Sequence, residues 1–479
     1  MSPSRSVYTR LVAGALFPLH ERMKGHRSPA ILRRLEATQW WNRDRLETYR
    51  VDRVRRFLTE VEARVPYYTK LFRERGFDPA RVRALSDLSA LPLSDKAVVR
   101  THFEDLKAEG ARDLVERRTT GSTGEPLRFL VSRNRISFDV AAKWRGTRWW
   151  GVDVGDPEIV VWGSPIELTV QDRFKKIRDR LLRSRLLPII DISTAKLDLY
   201  IDTIARRPPR QVFGYPSAIA QLAWRASQRG IHLGGLGIRV VFVTSEILQA
   251  PWRTIITEVF GCPVATEYGA RDAGYIAREC PAGGLHITAE YLVVEILDEE
   301  GQPVPPGQCG EVVVTNFESA GFPFIRYRTG DVAALEDRIC PCGRELPLIG
   351  QISGRTNDCL VSTDGRLVHD SALNYVIRAL EGVRAYKIVQ EALTDVHVLI
   401  VPGPGFPDDA PDRIGARYRE LLGPEVKVRL EKVTDIPREA SGKFRHVVTR
   451  VPSPMMPATA GPTPAASGGA PFAPRPRAC

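Results

Sequence analysis

Apolar residues recur at two different periods along this chain, and the change of period divides it. From Leu46 to Val65 the residues Tyr49, Val54, Phe57, Leu58 and Val61 return at helical spacing among charges, and Pro66-Tyr67-Tyr68 closes that helix. Ser94-Asp95 caps a further helix through Val98, Val99 and Phe103. Helical and β-branched runs then alternate. Helices are expected over 137–150, 196–206, 217–229 and 249–260, with strands at 159–162, 211–213, 238–244 and near Val264. Alternation of this kind predicts an α/β fold with parallel strands, whose ligands lie at the strands' carboxyl ends. Phe213 to Ser217, Thr244-Ser245-Glu246 and Thr266 to Gly269 all fall at such ends.

After Gly284 the pattern becomes antiparallel, with strands at 291–297 and 311–317 joined by the Gly/Pro-rich stretch 301–310. Beyond Gly354 a smaller α+β unit is expected: helix 371–380, strands near 385–389 and 397–401, helix 412–422 and strand 426–430. From Pro452 the chain is Pro, Ala, Gly and Ser and reads as a disordered tail. The expected domains are therefore 1–353, 354–451 and 452–479. The first is a large α/β domain with parallel sheets plus an antiparallel β portion; the second is a small α+β domain.

Composition narrows the class. A length of 479 residues with 43% hydrophobic and 26% charged residues suits a multidomain globular protein with full cores. The formal charge of +12 calls for an anionic partner, but the arginines are scattered, which disfavours nucleic acid. Seven cysteines over this length make no disulfide framework, so a reducing cytosol is the default. Cys262, Cys309 and Cys359 read as small apolar side chains. No apolar run is long enough to cross a bilayer. The run 11–19 is too short, and lacks the cleavage site, for a signal peptide; an amphipathic helix packed on the body is expected, with membrane-surface docking as the minor alternative. Residues 173–185 carry seven basic side chains around Phe174, Ile177 and Leu181. They read first as a solvated amphipathic face; the sharper alternative is a docking patch for CoA phosphates, an anionic acceptor or lipid.

The candidate chemistry begins at Arg118-Thr119-Thr120-Gly121-Ser122-Thr123-Gly124-Glu125-Pro126, just before the apolar run 127–131. Glycines let backbone N–H groups approach an anion, and Ser/Thr hydroxyls add donors around phosphate oxygens. The spacing is neither that of a Walker P-loop nor of a dinucleotide fingerprint. Tyr327-Arg328-Thr329-Gly330-Asp331 places an acid after a glycine turn, where it can accept two hydrogen bonds from a ribose diol. Gly354-Arg355-Thr356-Asn357-Asp358 opens the small unit, and Lys443 stands on the Gly/Ser-rich stretch 437–445 as a mobile point charge.

In this order and spacing the four elements resemble the adenylate-forming ligase superfamily. The closest resemblance is to the phenylacetate–CoA ligase-like branch, which also holds capsule-biosynthesis relatives. It covers roughly residues 51–451. The resemblance implies that Thr119, Thr120, Gly121, Ser122, Thr123 and Gly124 form an ATP phosphate loop. It implies that Tyr268-Gly269-Ala270-Arg271-Asp272 holds adenine and places its acid on Mg²⁺. Asp331 corresponds to the ribose acid, Arg355 to the linker arginine and Lys443 to the adenylation lysine of a mobile small domain. The departures are Asp272 where Glu is commoner, no lysine after Pro126, and Asn357 at the hinge.

Cys280, His286, Cys340 and Cys342 supply three thiolates and an imidazole, a set that suits structural Zn²⁺. Glycines and prolines around both pairs make them turn-like. Buried cysteines with a core histidine are the bland alternative, and a similar set in parts of the ligase branch favours Zn²⁺.

The expected activity is ATP-dependent activation of a carboxylic acid, with CoA as the acceptor. Transfer to an amine, sugar or carrier protein, and a nucleotide-binding partner without turnover, stay open. Tyr215, Pro216, Ser217, Ser245 and Glu246 form the candidate substrate pocket, with Trp162 and Tyr268 as further wall residues; aromatic residues at strand ends are equally ordinary core.

Overall fold

The computed structural model describes residues 6–119, 127–163, 173–189, 193–298, 300–350, 352, 360–368, 370–436 and 447–451. Near the start, Arg43–Arg64 is helical with Asn42 as N-cap. That helix ends ahead of Pro66 as expected, and Pro66 opens a second helix, Pro66–Arg75, because proline at the first helical position gives up no hydrogen bond. Asp95 caps Lys96–Thr101 as expected, its carboxylate accepting from Val98 N.

The strands of the central sheets, in chain order, are β1 (Leu114–Arg118), β2 (Arg128–Ser132), β3 (Glu158–Trp162), β4 (Ser184–Pro188), β5 (Gln211–Gly214), β6 (Val240–Val243), β7 (Val264–Ala270), β8 (Gly274–Glu279) and β9 (Leu285–Ile287). They continue with β10 (Leu292–Leu297), β11 (Gly310–Asn316), β12 (Phe324–Ala333), β13 (Leu335–Glu336) and β14 (Leu348–Ile349). A nine-stranded sheet runs β13-β14-β9-β8-β7-β6-β5-β3-β4. Its β4-β3-β5-β6-β7 half is parallel, with the helices Thr194–Arg206, Pro216–Gln228 and Ala250–Phe260 close to their expected bounds. The β7-β8-β9-β14-β13 half is antiparallel.

Strand β4 begins inside the basic stretch that reads as one helix face. The helix stops at Leu181, and the left-handed backbone of Arg183 turns the chain into β4. The expected antiparallel pair is β10 with β11, and β12 completes a three-stranded sheet.

Two large cores serve the described residues of this part. One gathers the early helices, β2, β8 and the three-stranded sheet around Phe129, Phe324 and Tyr327; the other lies between the parallel strands and their helices, around Val212, Ile219 and Ile256. A third core belongs to the C-terminal part. There β17 (Val383–Ala392), β18 (Asp395–Pro402), β19 (Lys427–Lys432) and β20 (Val447–Thr449) form a four-stranded sheet, after a hairpin of β15 (Leu360–Val361) and β16 (Leu367–Val368). The helices Asp370–Arg378 and Ala410–Leu422 complete an α+β unit. The observed class is thus the expected one, α/β followed by a smaller α+β portion.

Candidate functional site

The parallel half of the large sheet ends at β7, and the chain turns there into antiparallel β8 through residues 271–273. Gly269 is required beside that turn: a side chain on it would put its Cβ 2.8 Å from the carbonyl oxygen of Gly274. Strand β12 approaches from the three-stranded sheet. Residues two apart on a strand share a face, and Tyr327 and Asp331 both reach towards the turn. Tyr327 Oη donates to Asp272 Oδ2 at 2.7 Å, and Tyr268 Oη donates to Asp331 Oδ2 at 2.9 Å. The backbone N–H of Ala273 donates to Asp272 Oδ1 at 3.1 Å, and that of Asp331 to Thr329 Oγ1 at 3.2 Å. Two Tyr–Asp pairs therefore join the two sheets at one place. Asp272 and Tyr327 are buried, whereas Asp331 is partly open.

The base of the glycine/threonine loop is tied to the same turn. Strands β1 and β2 form a hairpin whose connection is that loop. Thr119 closes it: its N–H donates to Leu127 O at 2.9 Å, and its Oγ1 accepts from Leu127 N at 3.0 Å. Arg271 Nη1 donates to Arg118 O at 3.4 Å, at the end of β1. Thr120, Gly121, Ser122, Thr123 and Gly124 lie outside the described residues, as do Arg355 and Lys443.

The third group stands at the ends of β5 and β6. Glu246 accepts from both the N–H and the Oγ of Ser217, each at 3.0 Å, so its carboxylate occupies the positive end of the helix Pro216–Gln228. Ser245 before it adopts φ 71°, a strained setting for a residue with a Cβ. Tyr215 is buried and stacks on Trp162 at 4.2 Å, and Trp162 also stacks with Phe213 at 5.8 Å. Tyr215 and Pro216 thus contribute to the core at a strand end.

Two residues of the site escape sequence reasoning. Tyr327 is part of a quoted motif, yet nothing in the string shows that it anchors Asp272, 55 positions away. Arg135 is the other. Its guanidinium is buried beside the turn, with Nη2 donating to Arg271 O at 2.9 Å, Nε 3.8 Å from Asp139 Oδ2, and no hydrogen bond from Nε or Nη1 among the described residues. Nearby, Asp139 accepts from Tyr275 N and Tyr291 Oη. Burial raises its carboxyl above the ordinary range, and Arg135 and the hydrogen bonds offset only part of that.

The Cys/His set converges. Cys280 follows β8, His286 lies on β9, and Cys340 and Cys342 stand between β13 and β14. Their four donor atoms lie within 4.8 Å of one another. Both knuckles are turns in which a left-handed glycine donates back to a cysteine carbonyl, Gly283 to Cys280 at 2.9 Å and Gly343 to Cys340 at 3.1 Å. The Sγ atoms of Cys280 and Cys340 are 3.6 Å apart, and Cys342 Sγ is 3.2 Å from His286 Nε2. Tetrahedral bonds of about 2.3 Å to sulfur would set two thiolates about 3.8 Å apart, so the cluster has the dimensions of a zinc site. His286 Nδ1 faces Leu346 O at 3.3 Å, which leaves Nε2 towards the thiols. Burial lowers His286 to about 4, keeping the imidazole neutral. Burial also raises Cys280 to about 12, whereas hydrogen bonds from Arg344 and the neighbouring thiols outweigh burial at Cys342 and lower it. Cys309 departs from expectation: it is disulfide-bonded rather than a free small apolar side chain.

The mixed sheet, the second antiparallel sheet and the small C-terminal unit make up the fold of adenylate-forming ligases. Among solved structures the chain resembles 2-hydroxyisobutyryl-CoA ligase in complex with 2-HIB-AMP and CoA, at 20% identity and TM-score 0.58, over 85% of this chain and 92% of that one. The sequence comparisons give the particular relatives. Residues 360–450 match the CapK C-terminal domain. The phenylacetate–coenzyme A ligase of Thermus thermophilus is 25% identical over 85% of this chain and 97% of its own length; protein CapK of Staphylococcus aureus is 22% identical over 83% and 88%. The relatives are phenylacetate–CoA ligases and CapK, the branch that the motifs resemble.

Proposed function

We propose that this chain activates a carboxylic acid with ATP and passes the acyl group to coenzyme A. A carboxylate oxygen attacks the α-phosphorus, the bond to the β-phosphate breaks, and pyrophosphate leaves. The thiol sulfur then attacks the acyl carbon, AMP leaves, and the thiol proton is lost. The observation that carries this reading is the meeting of Asp331, Asp272 and the base of the 119–127 loop at the end of β7. Phenylacetate–CoA ligases among the relatives support it.

In this reading Asp331 holds the ribose diol, and Tyr268 Oη fixes its carboxylate. Tyr268 and Gly269 line the adenine. Thr119 to Gly124 surround the β- and γ-phosphates, and Arg135 adds positive potential from below. Asp272 fits a hard dication: each of its oxygens accepts one protein hydrogen bond and keeps a further lone pair. Mg²⁺ there would offset phosphate charge. Lys443 bridges the carboxylate and α-phosphate as charge builds, and Arg355 contacts phosphate at the linker. Tyr215, Pro216, Ser217, Ser245 and Glu246 form the acyl side, where the rigid Tyr215–Trp162 stack favours an aromatic or medium apolar acid. Residues 354–451 act as a small mobile domain, and Cys280, His286, Cys340 and Cys342 would hold Zn²⁺, which would staple the β8–β9 turn to the β13–β14 loop. The setting is the cytoplasm; none of the described helices is long and apolar enough to cross a membrane.

The second reading rests on the capsule-biosynthesis resemblance of the motifs and takes an amine, sugar or carrier protein as acceptor; residues 360–450 match the CapK C-terminal domain. Mass spectrometry of products from a panel of carboxylic acids with ATP, with and without CoA, separates the two. Acyl-CoA supports the first reading. Acyl-adenylate that accumulates despite CoA supports the second, and a panel yielding no adenylate counts against both.

A further inference from the structure

The N-terminal helix and the basic helix carry an exposed apolar stripe that the proposed chemistry does not use. Residues Val7–Met23 run through an α-helix, a π-turn and a second α-helix. The inward side is anchored by Thr9, Val12, Phe17 and Glu21, all buried. Thr9 Oγ1 donates to Asp156 at 2.8 Å, and Glu21 is held by Ser28 and His26. The outward side reads Val7, Leu11, Ala15, Leu19 and Met23, each four residues from the last and each exposed. Val7 is 74% and Met23 81% exposed, with Leu11 and Leu19 above half. Spacing of four keeps side chains on one helical face.

The helix Arg173–Leu181 lies alongside. Tyr8 Oη donates to Leu181 O at 2.8 Å, the Arg183 guanidinium sits over the Tyr8 ring at 5.4 Å, and Leu182 joins the Val12–Phe17 cluster. Ile177 and Leu181 are exposed here, again four apart. Of the 12 large apolar side chains exposed among the described residues, seven are on these two helices, which a scatter of single exposed residues would not give. The charge around them has one sign. Arg10, Arg22, Lys24, Arg180, Arg183 and Arg185 are exposed, while Glu21 is buried and Asp179 is paired to Arg178.

We propose that these two helices form a docking face for an anionic lipid bilayer, with the stripe seated at the acyl boundary and the arginines and lysine among the headgroups. An interfacial helix pairs an apolar face with flanking cations in this way. The charge argues against a second copy of the chain as the occupant, because a symmetric contact would bring like charges together.

The test is cosedimentation of the full chain with vesicles of phosphatidylcholine alone and of phosphatidylcholine with phosphatidylserine in equal parts. The proposal expects binding to the mixed vesicles only, weakened by salt. It expects a fall of roughly tenfold or more for Leu19→Glu with Met23→Glu, and for Arg22→Glu with Lys24→Glu. Both variants should keep the wild-type melting curve and ATP-dependent pyrophosphate release in solution. No binding to mixed vesicles by the folded wild type overturns the proposal, as does equal binding by the variants. A concentration-dependent dimer that Leu19→Glu dissolves also overturns it, placing a second copy on the stripe.

Discussion

Replacing Cys342 by serine separates a metal centre from a mere cluster of thiols. Cys342 is the most open of the four candidate ligands, so the change leaves no sizeable cavity. Without a metal, its side chain gives up a 3.2 Å contact with His286 Nε2 and weak hydrogen bonds with Arg344 and the neighbouring thiols, and the loss should stay at or below about 1 kcal/mol. With Zn²⁺ bound the magnitude differs. Structural zinc sites bind with an apparent 10–16 kcal/mol, roughly, so one ligand in four is worth about 2.5–4 kcal/mol. At about 1.4 kcal/mol per decade, affinity falls roughly a hundredfold to a thousandfold. The assay is metal content by elemental analysis, alongside unfolding with and without a chelator. The account predicts about one zinc per chain in the wild type, chelator-sensitive stability, and loss of both in Cys342→Ser. Gly284 provides an independent check on geometry. A Cβ there would stand 2.7 Å from Cys340 Sγ and 3.2 Å from His286 Nε2, so Gly284→Ala should also lower metal content. A metal-free wild type, or a serine variant with unchanged zinc and stability, refutes the reasoning.

Two further predictions concern the site beside β7. Tyr327→Phe strips a buried carboxylate of a donor at 2.7 Å, worth about 1.5–3 kcal/mol, and should slow adenylation roughly tenfold to a hundredfold in pyrophosphate release. Tyr268→Phe acts on the more open Asp331, where water replaces the lost donor, so its effect should be under about tenfold and confined to the KM for ATP. Asp139→Asn addresses pH: because burial raises the folded carboxyl above its unfolded value, wild-type stability from this group is present at low pH and lost as pH rises through the folded value. Asparagine keeps an acceptor for Tyr275 N and Tyr291 Oη, so melting points of variant and wild type should diverge in the variant's favour as pH rises above about 4, the ordinary carboxyl value. A constant difference contradicts this.

The strands and helices of the parallel half were legible because β-branched runs and 3.6-residue spacing alternate there, and their ends fall close to the expected positions. The short strands were not. β9, β13 and β14 are two or three residues long and owe their existence to His286 facing Leu348 and to the neighbouring thiol cluster. β4 was masked by a basic run whose periodicity continues past the helix end, and only the turn at Arg183 marks the break. Within the site, glycines and acids announce themselves as residue types. Their partners do not: Tyr327 with Asp272 and Arg271 with Arg118 are contacts made by sheet packing across 55 and 153 positions. The Cys/His set was readable from spacing because each knuckle is local, but the meeting of the two knuckles is a property of the sheet.

Pyrophosphate release from ATP, measured across a panel of carboxylic acids in wild type and Lys443→Ala, tests the central claim most directly. The account predicts release that requires one class of acid, and a fall of roughly a hundredfold or more in the alanine variant, whose fold and ATP binding should persist. Release that ignores the acid, or that Lys443→Ala leaves intact, would contradict adenylation by this chain.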